Sequence, residues 1–190
     1  TIYGESNTLL QDESLPTNPI CSYGIVKLAA EKYLQMYSRL HAVKVISLRI
    51  ANPYGLSQLN KTLQGAIGVF VAKAVRGESI QIWGDGSVAR DYIWVDDVAA
   101  AFASACDYDG GVQCFNIGTG RATTLNEIIG MIEKNFDKKI MVKYEENRNV
   151  DISLSALKSD LARRELVWVP KIDISKGIEY MCAHAKNVIG

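Results

Sequence analysis

The sequence predicts an α/β fold, because segments with the pattern of strands alternate along the chain with segments with the pattern of helices. The strand-like segments are short β-branched runs that end at turn residues, and the helical segments carry apolar residues at spacings of three and four. The chain has 190 residues, of which 48% are apolar, so it can bury a substantial core. Its 21 basic and 21 acidic residues cancel, which argues against a nucleic-acid partner, and no apolar run reaches the length of a membrane span.

The first part of the chain predicts a loop, a helix and a buried strand. Residues 5–20 are polar and contain two prolines, which favours an irregular loop. Apolar residues recur at helical spacing over 22–40, and Ser22 is the predicted N-cap of that helix. The β-branched run at 45–50 predicts a strand of a parallel sheet, which ends in a turn at 52–55.

The rest of the chain continues the alternation. A helix over 66–76 should end at Gly77, since glycine accepts the left-handed conformation that closes a helix. Thr124 and Glu127 have the spacing of a capping box, which predicts the start of a helix that runs to Asn135. The other predicted elements are strands at 79–83, 91–95, 113–117 and 140–144, turns at 84–86 and 118–120, a helix capped by Asp96 or Asp97 that runs to Cys106, and helices at 155–166 and from Ser175 to the end.

The cysteines and histidines argue against a metal site. None of the four cysteines forms a C-x-x-C pair, and the two histidines lie far apart in sequence. We therefore expect free thiols in a reducing cytoplasm and no metal. No G-x-S-x-G motif is present, so a serine hydrolase is hard to build from this sequence. The residues concerned are Cys21, Cys106, Cys114, Cys182, His41 and His184.

Tyr23 and Lys27 form a pair that could carry chemistry. They lie four residues apart on the first predicted helix and therefore project from the same face. Tyrosine ionises at about pH 10, and a neighbouring ammonium group favours its phenolate form, which is a base. The spacing alone is a weak signal, because a surface tyrosine packed along a lysine side chain gives the same pattern. The motifs around the pair decide between these interpretations.

Ordered motifs along almost the whole chain resemble the extended short-chain dehydrogenase/reductase family, and within it the UDP-sugar 4-epimerases, including those of surface-polysaccharide pathways. The first motif, P-I-C-S-Y-G-I-V-K at 19–27 followed by Glu31, resembles the active-site helix of that family. The others resemble its next strand, its sugar-nucleotide lobe and its late motifs. They are L-R-I-A-N-P-Y-G at 48–55, I-Q-I-W-G-D-G at 80–86, R-D-Y-I at 90–93, V-D-D-V at 95–98, F-N-I-G-T-G at 115–120 and L-V-W-V-P at 166–170.

The resemblance implies how the chain is organised. Residues 1–58 would be the remnant of an NAD-binding Rossmann domain that carries the Tyr–Lys helix. Residues 59–190 would form a smaller mixed α/β lobe that binds the sugar nucleotide, with about 91–120 returning to the Rossmann sheet. The G-x-x-G-x-x-G fingerprint and the family's catalytic serine or threonine would precede Thr1, so the isolated chain is expected to be inactive.

The resemblance also implies roles for individual residues. Tyr23 would take the proton from the sugar 4-hydroxyl while hydride moves to NAD. Lys27 would assist Tyr23 and bind the nicotinamide ribose, and Ile50 would contact the cofactor. The implied substrate-binding residues are Asn52, Ile67, Gln81, Trp83, Arg90, Arg148 and Asp151.

Several of these residues also have a purely structural interpretation. Arg90 would grip the diphosphate, or else pair with Asp91. Trp83 would stack on uracil, or else belong to the core. Asn52 could serve only the turn beside Pro53, Arg148 could be a solvated surface charge, and Arg49 is expected to be structural.

The same resemblance favours one reaction and one oligomeric assembly. Thr1 and Gly24 favour an epimerase over the dehydratases and decarboxylases of the family, while Ala51 and Val167 depart from its usual aromatic residue and glycine. The expected assembly is a cytoplasmic homodimer formed through the Tyr-bearing helix near 31–39, with no membrane or nucleic-acid partner. A nucleotide-sugar 4,6-dehydratase or reductase, and a non-catalytic sugar-nucleotide-binding module, remain as alternatives.

Overall fold

The computed structural model describes residues 2–4, 8–59, 65–146 and 154–189, and it has the α/β architecture that the sequence predicts. Thr1, Arg148 and Asp151, which carry sequence predictions, lie outside the described residues. The helices are α1 (Ser22–His41), α2 (Ala66–Arg76), α3 (Val95–Asp107), α4 (Leu125–Phe136), α5 (Asp160–Glu165) and α6 (Ile174–Val188), with a 3₁₀ turn at Leu56–Leu59.

The strands form small sheets, most of whose pairs are parallel. They are β1 (Ser47–Ile50), β2 (Asn52–Tyr54), β3 (Ile80–Trp83), β4 (Ala89–Trp94), β5 (Cys114–Ile117), β6 (Ala122–Thr124), β7 (Val142–Glu145) and β8 (Leu154–Ser155). β1 pairs with β5 and β3 pairs with β7, both in parallel. β4 is the centre of the remaining sheet, where it pairs in parallel with β2 and β8 and antiparallel with β6.

Two apolar cores hold these elements together. The helical core packs α2, α4 and α6 together with residues of β3 and β4, and its fully buried members include Val71, Ile132 and Ile178. The sheet core packs α3 and α5 against β1 and β5, around Phe115 and Ile117. β4 contributes to both cores, since its successive side chains point to opposite faces.

Two predicted helix ends are confirmed in detail. Gly77 adopts φ 70° directly after α2, and its N–H donates to the Ala74 carbonyl, as a left-handed helix end requires. The capping box at the start of α4 is complete, because the Thr124 hydroxyl accepts from the Glu127 N–H while the Glu127 carboxylate accepts from the Thr124 N–H.

The predicted N-caps of α1 and α3 are wrong. Cys21, not Ser22, occupies the N-cap position of α1, and no side chain caps that helix. α3 begins after Trp94, and its two acidic residues have other partners. Asp96 accepts from the Trp94 indole N–H at 2.9 Å, and Asp97 accepts from two backbone N–H groups of the loop before α6.

Two other predicted elements are also wrong, both because of pairing with residues distant in sequence. The predicted turn at 52–55 is largely β2, an edge strand beside β4, where Pro53 is tolerated. The predicted helix at 155–166 begins instead as β8, continues extended past Leu157, and becomes helical only at α5. Backbone hydrogen bonds between Gln11 and residues 156 and 158 hold that extended stretch.

Among the described residues, no helix is both long enough and apolar enough to cross a membrane.

Candidate active site

A cavity of about 490 Å³ lies between the start of α1, the end of β1 and the middle of β4. Its size falls within the usual range for small-molecule sites, which is roughly 300–1,000 Å³. It brings together five of the residues singled out from the sequence, which are Tyr23, Lys27, Ile50, Asn52 and Arg90. The walls are completed by Ile2, Tyr3, Ile20, Cys21, Leu48, Arg49, Ala51, Pro53, Asp91, Ser155 and Leu157.

Tyr23 and Lys27 form one wall of the cavity. Both lie in the first two turns of α1, and the Lys27 ammonium is 5.3 Å from the centroid of the Tyr23 ring. Tyr23 is 62% exposed, so its hydroxyl is free to meet a ligand. The ammonium thus lies over the face of the phenol ring, in a cation–π contact.

A buried polar cluster ties α1 to β1 behind this wall. Glu31 lies about one helical turn beyond Lys27 on α1. Its carboxylate accepts two hydrogen bonds from the Arg49 guanidinium, at 2.9 and 2.7 Å. A further nitrogen of Arg49 donates to the Tyr3 hydroxyl at 2.8 Å, and that hydroxyl donates to the Asn116 side chain at 2.6 Å. Burial would lower the pKa of Arg49, but the hydrogen bonds with Glu31 and Tyr3 raise it above its ordinary value. Arg49 is therefore a structural cation, as the sequence analysis expects.

Arg90 and Asn52 line the same cavity from the neighbouring strands β4 and β2. Arg90 is half-buried on β4 between β6 and β8, and it donates to the Ala89 carbonyl at 3.0 Å. Asn52 is exposed on β2, and its amide donates to the Asp91 carbonyl at 3.1 Å. A guanidinium and an amide on the lining of one cavity offer several hydrogen-bond donors to an anionic ligand.

Asp91 fixes the backbone next to Arg90. Its buried carboxylate accepts from the backbone N–H groups of Thr119, Gly120 and Leu157 at 3.0–3.2 Å, and from the Thr119 hydroxyl at 2.5 Å. Burial raises the pKa of Asp91, and these hydrogen bonds act in the opposite direction. The carboxylate thus joins β4 to the 118–120 turn and to the chain after β8.

Of the other sequence-predicted substrate residues, the three that the structure describes do not line this cavity. Ile67 is buried at the start of α2 and lines a second cavity of about 260 Å³, which shares Asn52 with the first. Gln81 and Trp83 are exposed on β3, where Trp83 is 44% exposed and Gln81 donates to Glu145 on the paired strand. Trp83 is therefore a surface residue and not part of the apolar core.

Two residues with a hydroxyl group line the cavity although the sequence patterns did not point to them. Ser155 reaches it from β8, a two-residue strand that is too short to leave a periodic pattern in the sequence. Tyr3 reaches it from the first described segment, and its role becomes visible only through its bonds to Arg49 and Asn116. Among the described residues, no three His, Cys, Asp or Glu side chains are grouped so that they could hold a metal ion.

A comparison with known protein families identifies the family to which this chain belongs. The model of the NAD dependent epimerase/dehydratase family matches residues 1–118, which is more than half of the chain. The chain belongs to that family. The match includes α1, β1 and β4, the elements that build the cavity.

Individual relatives carry different activities within this family. The chain is 34% identical over 178 residues to the UDP-glucose 4-epimerase of Mycolicibacterium smegmatis, covering 94% of this chain and 57% of that protein. It is 35% identical over 180 residues to the dTDP-4-dehydro-6-deoxyglucose reductase of Escherichia coli, covering 94% and 56%. The crystal structure of the Thermotoga maritima UDP-glucose 4-epimerase with UDP-glucose superposes with a TM-score of 0.91 at 33% identity, over all of this chain and 61% of that one.

The fold of this family member is thus that of the Rossmann-like UDP-sugar epimerases. The chain spans somewhat more than half the length of the relatives that it matches.

Proposed function

We propose that this chain serves an NAD-dependent 4-epimerase that acts on a UDP-sugar through a 4-keto intermediate. The observation that carries the proposal is a single cavity lined by Tyr23, Lys27 and Arg90. A sugar nucleotide needs both kinds of group, because its sugar must meet a base while its diphosphate meets a cation. The Thermotoga maritima relative, which superposes over the whole chain, is a UDP-glucose 4-epimerase bound to UDP-glucose.

Tyr23 is the proposed base at the sugar. Its hydroxyl oxygen would accept the proton of the sugar 4-hydroxyl as that carbon is oxidised, and it would return the proton when the carbon is reduced from the opposite face. The Lys27 ammonium, 5.3 Å from the centroid of the ring, is the cation proposed to assist Tyr23. The Tyr23 side chain is exposed, so a sugar could approach it.

The wall formed by Tyr23, Lys27 and Ile50 also fits a nicotinamide ribose. Lys27 offers hydrogen-bond donors to ribose hydroxyls, and the half-buried Ile50 offers an apolar surface beside them. NAD, when bound, supplies the hydride acceptor and donor that the reaction requires.

Arg90 and Asn52 are the proposed diphosphate and sugar contacts. Ile67 borders the adjoining cavity, so a nucleotide that extends from Arg90 past Asn52 would reach it. Gln81, Trp83, Arg148 and Asp151 stay predictions for uridine and ribose binding. Of these, Trp83 presents an exposed indole on which a base could stack.

The experiment that tests the reaction is product analysis by NMR. The protein at its full natural length is incubated with NAD and UDP-glucose, and separately with UDP-N-acetylglucosamine. The proposal predicts the C4 epimer of one of them. A 6-deoxy-4-keto product would contradict the epimerase and support the dehydratase. Reduction of a 4-keto nucleotide sugar in a separate incubation with NADH would support a reductase, the activity of one relative.

A non-catalytic role for these 190 residues is the second candidate. It is supported by the lack of a G-x-x-G-x-x-G fingerprint in the sequence and by the 56–61% coverage of the relatives. In this account, the chain acts alone as a module that binds a sugar nucleotide or associates with another subunit, without catalysis. Calorimetric titration of the 190-residue chain should then detect UDP but not NAD. Tight stoichiometric NAD binding would refute this candidate.

The proposed assembly is a cytoplasmic homodimer through α1. The helix exposes Tyr33, Leu34 and Tyr37 by 48–64% within the 31–39 stretch, which is a surface of the kind that a second helix pair would cover. All four cysteines are free thiols, which suits a reducing compartment. Sedimentation of a strict monomer would contradict the dimer.

A further inference from the structure

The helix that carries Tyr23 and Lys27 is anchored in an unusual way. Of the 20 residues of α1, only Gly24 and Glu31 are buried. Glycine has no side chain, so Glu31 is the one buried side chain of the helix. Within the described residues, the buried side-chain contact of α1 is therefore made by a carboxylate.

The partner of Glu31 leaves little freedom at this anchor. Arg49 binds both carboxylate oxygens in a fork, and the two side chains are only 5% and 10% exposed. The guanidinium also lies 5.0 Å from the centroid of the Tyr3 ring and donates to its hydroxyl. A planar guanidinium with several fixed hydrogen bonds has one orientation, and so does the carboxylate that it binds.

The spacing along α1 links this anchor to the cavity. Tyr23, Lys27 and Glu31 are at positions i, i+4 and i+8, so they form one stripe along the helix. Rotation or sliding of the helix at Glu31 therefore moves the Tyr23 hydroxyl by a similar amount. On the strand side, Arg49 directly precedes Ile50, which lines the same cavity.

We propose that Glu31 and Arg49 are positioning residues that set the place of Tyr23 and Lys27 in the cavity. The inference rests on the function proposed above, since it assumes that Tyr23 reacts with the sugar. A buried ion pair is often neutral for stability compared with apolar residues of similar size. What this pair supplies that apolar contacts do not is a directional constraint on the helix.

The test uses the full-length protein with two substitutions. Glu31→Gln keeps the shape of the side chain but removes its negative charge. Arg49→Lys keeps the positive charge but removes the paired hydrogen bonds of the guanidinium to the Glu31 carboxylate. Lys176→Gln is the matched control, because it breaks an exposed pair with Glu179 on α6, away from the cavity.

Displacement of a reacting group by about 1 Å costs roughly 100-fold in rate, so kcat should fall about 10- to 100-fold in the Glu31→Gln and Arg49→Lys variants. The KM for the UDP-sugar should change by less than about threefold, because Arg90 and Asn52 are untouched. A wild-type kcat in either variant, or a loss shared by the control, overturns the proposal.

A second measurement does not depend on activity. Hydrogen exchange of the α1 amides over 22–31 should become about tenfold faster in both variants and stay unchanged in the control, because the anchor that limits local opening has been removed. If the wild-type protein epimerises no UDP-sugar, the proposed function fails, and exchange alone decides the positioning role. Equal exchange in the wild type and both variants would then overturn it. Because Arg49→Lys retains a cation opposite Glu31, it provides a second readout if Glu31→Gln fails to fold.

Discussion

The helical core around α6 and the cavity beside α1 are built by opposite means. α6 buries six residues, and five of them, including Ile178 and Met181, belong to an apolar cluster with α2 and α4. Of the residues of α1, only Gly24 and Glu31 are buried within this chain, and Glu31 forms the ion pair with Arg49 that we propose positions Tyr23 and Lys27.

The difference shows what each kind of contact supplies. Apolar packing is non-directional and stabilises roughly in proportion to the area removed from water. A forked ion pair adds little net stability but fixes an orientation. The comparison therefore predicts that stability and ligand binding can be changed separately, one in each region.

The largest effect on stability is expected in the helical core. Ile178→Ala removes a fully buried side chain and should lower the free energy of unfolding by about 2–5 kcal/mol. Ile25→Ala, on α1, is the matched control; its side chain is 54% exposed, so the loss should be below about 0.5 kcal/mol. Urea unfolding of this chain measures both. Equal losses of unfolding free energy in the two variants would contradict the predicted difference between the two regions.

A change on the cavity wall should affect binding instead. Arg90→Ala removes the proposed charge-assisted contact with the diphosphate, worth about 1.5–3 kcal/mol, so the Kd for UDP should rise about 10- to 100-fold. Arg76→Ala, at the exposed end of α2, should leave the Kd unchanged. Calorimetric titration with UDP makes the measurement. An unchanged Kd in Arg90→Ala would contradict the proposal that Arg90 binds the diphosphate.

The smallest predicted effect lies outside both regions. Val167, 88% exposed after α5, adopts φ 52°, which costs an L-residue about 1–2 kcal/mol. Val167→Gly removes this strain but loses more backbone entropy on folding, so it should stabilise the protein by about 1 kcal/mol or less. Val169→Gly, two residues on and without a positive φ, should destabilise it. Thermal unfolding measures the stability of both variants. Destabilisation by Val167→Gly would contradict the strain assigned to the positive φ of Val167.

Local signals predicted the elements whose ends are decided locally. Gly77 closes α2 and the Thr124–Glu127 box opens α4 because each uses neighbouring backbone groups alone. The Tyr23–Lys27 pair was visible for the same reason, since an i,i+4 spacing fixes a shared helix face.

Elements decided by distant partners could not be predicted in this way. β2 exists because β4 accepts it as a neighbour, and β8 because residues 154–155 pair with 89–90. Asp97 resembles an N-cap in sequence but binds the backbone of residues 171 and 172. Tyr3 and Ser155 likewise enter the cavity through tertiary contacts that leave no local pattern.

The most direct test of the proposed active site compares two tyrosines on the same helix. Tyr23 and Tyr33 are similarly exposed, at 62% and 64%, but only Tyr23 lines the cavity. With NAD and the UDP-sugar turned over by the full-length wild type, Tyr23→Phe should lower kcat by about 10²- to 10⁴-fold, because it removes the acid–base group while retaining the ring. Tyr33→Phe should epimerise at the wild-type rate. Equal rates for the two variants would contradict the assignment of Tyr23 as the base.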